Sequence, residues 1–392
     1  PKAYAIVHPM HPDGEYPFKE LAGVGVAFKL ATAILGEVPY ELLDLVAVGT
    51  IADLVSITGE NRVLVQQGLR VLNHTDRIGW QAIFSIAGLH MEEIDEQSVG
   101  FQIAPRINAA GRLDDASLVV ELLTTWNETE AAQIAKNLNE INEKRKNLVN
   151  EITNEATYLL ENKKEPTYVI AQEGWHEGVL GIVASRLVEK FKKLMIVLRI
   201  DEDTGIAKGS ARSVEGFNLF KELTYLSEYL DRFGGHEMAA GLSLSVNRLD
   251  DFISTFSQKV EAADLKTPTV WIDEIVNLSE ISVPALNEVN LLKPFGTNNP
   301  PPVFAIENAQ LISSRAIGVD NAHLKLLVEQ EKAELDIIAF QYGYLHPALI
   351  LGESINLLGS LEINEWQGKR NVQMLLDDLS IPLPIIYDER NG

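Results

Sequence analysis

Four short segments of the chain carry side chains that could bind phosphate or a metal ion. The first is residues 49–53, where an apolar run ends in Asp53 beside small residues. We interpret the run as a strand, and a carboxylate at the end of a buried strand lies where α/β sheets place ligands. Hard divalent cations bind carboxylate oxygens, so Asp53 is a candidate metal ligand. One carboxylate does not make a metal site, and a helix N-cap is the alternative role.

The second segment, residues 105–113, places Arg106 and Arg112 six positions apart among small residues. We predict a loop here. The planar guanidinium group matches phosphate oxygens, and small neighbours allow a phosphate to approach the backbone. Two acidic residues follow directly, so phosphate binding and surface ion pairing both remain open for these arginines.

The third segment, residues 209–213, ends a predicted strand. Ser210 and Arg212 are two positions apart and should therefore point to the same face. A hydroxyl and a guanidinium group on one face could hold a phosphate. Ordinary turn residues are the alternative interpretation.

The fourth segment, residues 234–241, is the most specific of the four. Gly234 and Gly235 can adopt positive φ and expose backbone N–H groups, which could form a site for an anion. His236 adds a further donor. The alternative is a structural glycine turn with a histidine at the surface.

Two other groups of residues favour structural roles. We expect Trp175 to pack in a core and His176 to cap a helix or lie exposed. Near the end of the chain, Phe340, Tyr342 and Trp366 lie among basic residues and could stack on bases. The core of a small barrel explains most of these aromatic residues, and we favour that interpretation.

The composition is that of an acidic globular protein. The chain has 392 residues, with 33 Lys and Arg against 56 Asp and Glu, a net charge of −23. Such a chain is unsuited to coating nucleic acid without specificity, so any contact with a polyanion requires a local basic pocket. No cysteine is present, which excludes disulfides and thiol nucleophiles and agrees with a cytoplasmic protein. No apolar run approaches the length of a membrane span.

The elements that must position these residues follow from the spacing of apolar residues. Spacings of three, four and seven predict a long helix over 127–162. The order strand, helix, strand from 167 to 210 predicts an α/β domain, and regularly spaced short strands beyond 269 predict a small barrel or sandwich. The chain begins with Pro1 and what we interpret as a buried strand at 4–7, so we expect a fragment with part of the protein missing upstream.

Taken together and in this order, the four segments resemble the RecJ family of the DHH phosphoesterase superfamily. The resemblance extends to residues 16–25, 175–186 and 294–300 and covers nearly the whole chain. It implies an α/β fold followed by an all-β barrel. The implied domains are the C-terminal part of a DHH domain (1–126), a long connecting helix (127–163), a DHH-associated substrate-binding domain (164–264) and an OB-fold nucleic-acid-binding domain (269–388).

The resemblance implies a single-stranded-DNA-specific 5′-to-3′ exonuclease of DNA repair and recombination. It implies hydrolysis with two Mn²⁺ or Mg²⁺ ions and makes Asp53 the last metal-binding, catalytic carboxylate. It is compatible with a cytoplasmic enzyme that works with a helicase or a single-strand-binding protein. The residues it assigns to substrate phosphates are Arg106, Asn108, Arg112, Ser210, Arg212, Gly234, Gly235 and His236.

One departure from the family pattern is important. The family has an Asp-rich motif, a further Asp and an Asp-His-His triplet before the part that matches residues 1–25, and this chain contains none of them. Its one Asp-x-Asp sequence, residues 201–203, falls in a predicted turn. We therefore expect the chain to be inactive alone.

Two other functions remain open. One is a DHH-type phosphodiesterase for oligonucleotides or cyclic dinucleotides, which would not need the barrel. The other is a non-catalytic nucleic-acid-binding scaffold, which would explain the missing carboxylates. Residues 269–392 could also be a protein-docking module.

Overall fold

The computed structural model of the chain describes residues 3–161, 163, 165, 167–263, 270–366 and 368–380. These residues form two compact units. One unit draws on residues 1–70 and 269–392, and the other is residues 71–268. This division into units does not test the predicted domain boundaries, which stay predictions.

Three helices form the first part of the chain: α1 (Gly23–Leu35), α2 (Leu43–Ala52) and α3 (Gly59–Leu72). Close packing of α3 on α2 depends on Gly68, where an added Cβ would lie 2.2 Å from the Leu43 carbonyl oxygen. The strand predicted at 4–7 is wrong. Tyr4, Ile6 and Val7 are exposed, and no described strand includes them or pairs with them.

The second unit begins with helices packed around one long helix. They are α4 (Ile78–Ala87), α5 (Ala104–Leu113), α6 (Ser117–Thr124) and α7 (Glu128–Leu160). The Asn127 side chain accepts hydrogen bonds from the Thr129 and Glu130 amides and so caps α7. At 33 residues, α7 is about 50 Å long, and α4, α5 and α6 pack against it. The predicted long helix is confirmed.

A five-stranded sheet completes this unit. Its elements are β1 (Tyr168–Glu173), α8 (Leu180–Phe191), β2 (Met195–Asp201), β3 (Ile206–Arg212), α9 (Leu219–Tyr225), β4 (Arg232–Gly235), β5 (Ala239–Ser245) and α10 (Leu249–Glu261). The strand order is β1-β2-β3-β5-β4, with β1 and β2 parallel and the other pairs antiparallel.

Helices cover both faces of the sheet. In β2, Met195 and Val197 point into a core shared with α7 and α8, whereas Ile196 and Leu198 point into a core shared with α9 and α10. A strand buried on both faces reads as a continuous apolar run, as 194–200 does. The predicted α/β arrangement is confirmed.

The strands between residues 274 and 380 form a barrel that belongs to the first unit. Its elements are β6 (Glu274–Ile275), α11 (Val283–Val289), β7 (Phe304–Ile317), β8 (His323–Gln330), β9 (Ala333–Ala339), β10 (Ser354–Trp366) and β11 (Lys369–Ser380). The strand order is β10-β11-β9-β8-β7-β6, and pairing of β10 with β7 closes the sheet. The predicted barrel is confirmed. Among the described residues, no helix is both long and apolar enough to cross a membrane.

Candidate functional site

Strand β3 presents Ser210 and Arg212 to the first turn of α8. A Cβ added at Gly181 would lie 2.8 Å from Arg212 Nη2 and 3.4 Å from Ser210 Oγ. Both side chains therefore lie on the same face of β3, as their spacing predicts. We call Ser210, Arg212 and Gly181 the β3–α8 site. The start of a helix carries a partial positive charge, and together with the Arg212 guanidinium group it suits an anion.

The guanidinium group of Arg212 is partly buried. Its Nη1 donates to the Ala211 carbonyl oxygen at 2.8 Å, and no ion pair joins it to a described carboxylate. Burial lowers the pKa of Arg212, and the nearby positive charge of Arg112 lowers it further. A partly desolvated cation without a counter-ion is a favourable place for a phosphate.

The absence of a side chain at Gly181 leaves room for the guanidinium group of Arg212. We predict that Gly181→Ala leaves the free energy of unfolding unchanged or raises it by up to about 1 kcal/mol, because alanine favours helices. The added methyl would displace the flexible end of Arg212, so binding of a 5′-phosphorylated dinucleotide should weaken several-fold. Urea unfolding and a binding titration measure the two effects. Ser185→Ala, one turn further along α8, is the matched control. Unchanged binding by Gly181→Ala would show that the guanidinium does not need its place beside the helix.

The structure corrects the loop predicted at 105–113, which is helix α5. Pro105 suggested a loop but occupies the first turn, where its missing N–H costs nothing. Six residues turn a helix by about 240° beyond one full turn, so Arg106 and Arg112 lie on different faces. Arg106 is half-buried and its Nε donates to Asn139 Oδ1 on α7 at 2.9 Å.

Arg112 is exposed at the end of α5, and its Nη1 donates to the Gly178 carbonyl oxygen at 3.3 Å. A Cβ at Gly178 would lie 2.2 Å from the Arg112 carbonyl oxygen, so this contact requires glycine. Asn108 is also exposed and lies four residues before Arg112, on the same face of α5. The structure thus brings Arg112 to the turn before α8 and directs Arg106 to α7.

Trp175 and His176 have the structural roles expected of them. Trp175 is buried and its Nε1 donates to Glu155 Oε2 at 2.8 Å. His176 accepts a hydrogen bond at Nδ1 from the Gly178 amide at 3.2 Å. This cap holds the turn against which α5 packs. Gly178 and Gly181 are candidate positions that were not predicted from the sequence, and the small residues at the predicted helix start were the available signal.

Strands β4 and β5 form a hairpin with His236 at its tip. Gly235 has φ of +154°, and a Cβ there would lie 2.3 Å from the Ala239 carbonyl oxygen. Gly234 is not among the residues with positive φ, so one of the two glycines needs the special conformation. The His236 amide donates to the Ala239 carbonyl oxygen at 2.8 Å and is therefore not free for an anion. The exposed imidazole remains the candidate donor.

The hairpin tip lies beside the end of β3. Arg212 pairs with Ala239 across the β3–β5 ladder, and the Ser213 amide donates to the Met238 carbonyl oxygen at 2.9 Å. The backbone therefore places residues 236–238 next to the strand end that carries Arg212. Within this unit, residues distant in sequence come to one end of β3.

Asp53 belongs to the other unit. It is exposed and is the C-cap of α2, where its amide donates to the Gly49 carbonyl oxygen at 3.1 Å. The strand predicted before it is wrong, since residues 43–52 are helical. A continuous apolar run does not distinguish a buried helix from a buried strand, and α2 is buried over most of its surface.

A distant segment holds the turn that follows Asp53. The Thr297 hydroxyl donates to the Leu54 carbonyl oxygen at 3.0 Å, and the Ile57 amide donates to the Thr297 carbonyl oxygen at 2.8 Å. Asn298 Nδ2 donates to Ser56 Oγ at 3.3 Å. Residues 297–298 thus fix the Asp53 loop, which we define as residues 53–58.

Asn61 fixes the same loop from α3. It is almost fully buried, and its Nδ2 donates to the carbonyl oxygens of Glu20 at 2.7 Å and Ser56 at 3.0 Å. Its Oδ1 accepts from the Ala22 amide at 3.3 Å. One side chain therefore satisfies three backbone groups between α1, the Asp53 loop and α3.

The donor set decides what Asp53 can do for a metal ion. Mn²⁺ and Mg²⁺ bind through several oxygen ligands, of which Asp53 offers one carboxylate. Among the described residues, no group of three or more His, Asp and Glu side chains could hold an ion. The residues present therefore do not fit a complete two-ion centre.

The barrel carries exposed aromatic side chains at Phe340 and Tyr344, whereas Tyr342 is half-buried against the barrel core. Phe340 packs edge-on against His323 with ring centroids 5.2 Å apart, and Tyr342 stacks on Tyr344 at 6.2 Å. Tyr344 was not recognised from the sequence. The Trp366 side chain lies outside the described residues.

Two of the basic residues near these aromatics already have counter-ions. Lys325 pairs with Asp336 at 2.9 Å, and Arg370 pairs with Glu365 at 3.7 Å. The rings rather than these cations are therefore the features of this surface that could bind bases.

Comparison with known proteins gives matches along most of the chain. The family model described as the DHHA1 domain matches residues 164–262, and the model described as the RecJ OB domain matches residues 272–378. The single-stranded-DNA-specific exonuclease RecJ of Bacillus subtilis is 42% identical over 100% of this chain and 50% of its own length. The Haemophilus influenzae protein of the same name is 37% identical over 96% of this chain and 70% of its own length.

A solved structure shows the same fold. The crystal structure of Thermus thermophilus RecJ in complex with Mn²⁺ matches with a TM-score of 0.80 and 28% identity, over 94% of this chain and 55% of that one. The same protein has been crystallised with Mg²⁺. The chain spans about half the length of the Bacillus and Thermus proteins. At these identities, and over this share of the Haemophilus protein, the chain belongs to the RecJ family of single-stranded-DNA-specific exonucleases.

Proposed function

We propose that the protein containing this chain is an exonuclease that hydrolyses single-stranded DNA from its 5′ end, in DNA repair and recombination. The β3–α8 site carries this proposal. A terminal phosphate has more negative charge and more acceptor oxygens than an internucleotide phosphate, so it gains most from a half-buried guanidinium and a helix start. The names of the relatives support the substrate and the reaction.

Each remaining candidate residue receives a role from its position. Arg112 supplies a second guanidinium beside the β3–α8 site. His236 donates from the hairpin tip, whose shape depends on the positive φ of Gly235, and Gly234 lies beside it in β4. Asn108 lies on the Arg112 face of α5. Arg106 is hydrogen-bonded to α7, so it acts by holding α5 in place.

Metal ions complete the proposal. We propose Mn²⁺ or Mg²⁺, two ions in the complete enzyme, with Asp53 as one carboxylate ligand. Crystal structures of the Thermus relative with each ion support this. Bound ions of this kind would lower the pKa of a water molecule and stabilise the leaving oxygen. The family's Asp-rich and Asp-His-His motifs, which this chain lacks, would supply the other ligands.

The barrel would bind the strand beyond its terminus. Exposed rings such as Phe340 and Tyr344 can stack on bases of any sequence, which suits an enzyme that digests any single strand. The matched RecJ OB domain favours this function over a phosphodiesterase of short oligonucleotides, which would not need a barrel. We further propose a cytoplasmic location and, as partner, a helicase or a single-strand-binding protein.

The terminal-phosphate role is tested by replacing Arg212. We predict that Arg212→Ala weakens binding of a 5′-phosphorylated single strand by about 1–3 kcal/mol, or about 5- to 150-fold. A 5′-hydroxyl strand should bind nearly as before, because it lacks the group that Arg212 holds. Fluorescence anisotropy with 3′-labelled strands in EDTA measures both.

The matched control is Arg248→Ala. Arg248 lies in the same unit but is already ion-paired with Asp231, so its loss should not distinguish the two strands. Equal weakening of both strands by Arg212→Ala would contradict the assigned role.

A further inference from the structure

Besides Arg106, which donates to Asn139 and Gln102, four arginines of the 71–268 unit form no ion pair with a described carboxylate and donate instead to a neutral oxygen. The pairs are Arg112 with the Gly178 carbonyl at 3.3 Å, Arg145 with Asn142 Oδ1 at 3.1 Å, Arg186 with Asn150 Oδ1 at 2.6 Å and Arg212 with the Ala211 carbonyl at 2.8 Å. We call these four residues the arginine cluster. A neutral acceptor orients a guanidinium group and leaves its charge uncompensated.

The four charges influence one another although the residues are far apart in sequence. Arg112 acts on Arg212, as described above. Burial lowers the pKa of Arg145, and the positive charges of Arg112 and Arg186 lower it further, against an opposing effect of Glu143. Helix α7, which carries Arg145, packs against α5, which carries Arg112, and against α8, which carries Arg186. The positive charge therefore continues from the β3–α8 site along α7 and α8.

Such an arrangement is costly without a ligand. Like charges repel most strongly where burial removes water, and Arg145 is half-buried. The chain has 56 acidic residues and a net charge of −23, so carboxylates for ion pairs are abundant. That these arginines are held by asparagine and backbone carbonyls instead points to an anion as their partner.

Helix α7 is the common support. Asn139, Asn142 and Asn150 accept hydrogen bonds from arginines of α5, α7 and α8 respectively. Asn142 is 1% exposed, and its Nδ2 has no hydrogen-bond partner among the described residues. The Asn142 Oδ1 therefore holds Arg145 in place, and its Nδ2 remains available beside Arg145 as a hydrogen-bond donor.

We propose that Arg145 and Arg186 bind internucleotide phosphates of the single strand, next to the terminal phosphate held at the β3–α8 site. This inference rests on the proposed function and extends the same site by one or two nucleotides. The residues touch phosphates and no bases, so they add affinity and register without sequence preference.

Three probes test the proposal in EDTA: thymidine 5′-monophosphate, the 5′-phosphorylated tetranucleotide of thymidine, and that tetranucleotide with neutral methylphosphonates at its first two linkages. Arg145→Gln and Arg186→Gln should each weaken the natural tetranucleotide by about 5- to 20-fold. They should leave the mononucleotide unchanged and cause little further loss with the methylphosphonate probe. Each should also reduce the slope of log affinity against log salt by about 0.7.

Controls separate charge from folding. Arg248→Gln removes the same charge from an ion-paired position and should leave all three probes unchanged. Arg145→Lys and Arg186→Lys keep the charge and should keep the salt dependence. If Arg145→Gln lowers the melting temperature, Arg186→Gln decides the matter, because Arg186 is exposed.

The outcomes are distinct. Unchanged tetranucleotide binding, or an equal loss with the mononucleotide, would overturn the proposal. The Arg212→Ala experiment concerns the terminal phosphate alone. Suppose that Arg212→Ala weakens both strands equally while Arg145→Gln and Arg186→Gln weaken only the natural tetranucleotide. The proposed function would then be contradicted, and the internucleotide contacts would stand.

Discussion

No metal-dependent release of nucleotides is expected when the 392-residue chain alone is incubated with labelled, 5′-phosphorylated single strands and Mn²⁺ or Mg²⁺. The reason is the donor set. Asp53 offers one carboxylate, and the described residues bring together no group of three possible ligands. Two-metal hydrolysis needs both ions held in fixed positions. Thin-layer or gel separation of released nucleotides measures the result.

The Bacillus subtilis relative is the positive control in the same assay. Asp53→Asn in the present chain should change nothing, because there is no turnover to lose. Release by the unmodified chain that disappears with Asp53→Asn would contradict the expectation and show that the chain completes an ion centre by itself. Binding of the strands should persist throughout, since the β3–α8 site does not depend on Asp53.

Asn61→Ala should destabilise the unit that contains Asp53 by about 3 kcal/mol. The substitution leaves the Ala22 amide and the Glu20 and Ser56 carbonyl oxygens without the partner they share. Urea unfolding measures the free energy, and hydrogen exchange of the Ala22 amide should accelerate because its acceptor is gone.

The matched control for this substitution is Asn147→Ala. Asn147 is exposed on α7, where alanine is the better helix former, and the change should stay within about 0.5 kcal/mol. If Asn61→Ala unfolds at the same urea concentration as the unmodified chain, the three hydrogen bonds are not what holds the Asp53 loop.

Periodicity was sufficient for much of the fold. The regular spacing in 127–162 predicted α7, and the order of apolar runs predicted the sheet and the barrel. Periodicity gave the wrong element where one sequence pattern is compatible with two kinds of secondary structure. The run before Asp53 is apolar at nearly every position, and such a run fits a buried helix as well as a strand. Pro105 suggested a loop, although proline is favoured in the first turn of a helix.

Some residues of the candidate site could likewise be predicted from the sequence, and others could not. Ser210 and Arg212 could be predicted together because two residues of one strand share a face without any tertiary information. Arg145 and Arg186 were missed, since their neighbourhood depends on how α5, α7 and α8 pack. Three asparagines on one face of a long helix were the available signal. The contact of Thr297 with Leu54 joins residues 243 positions apart, and no local pattern reports such a contact.

That long separation has a consequence for biosynthesis. Thr297 is translated 243 residues after Leu54, which takes about 12–50 s at ribosomal rates of roughly 5–20 residues per second. Until then the turn after Asp53 lacks the hydrogen bonds that residues 297–298 supply. A nascent or truncated polypeptide that stops before this point contains Asp53 but not the support that fixes its surroundings. The Asp53 loop therefore gains these hydrogen bonds only after residues 297–298, which lie in the part matched by the RecJ OB domain, have been synthesised.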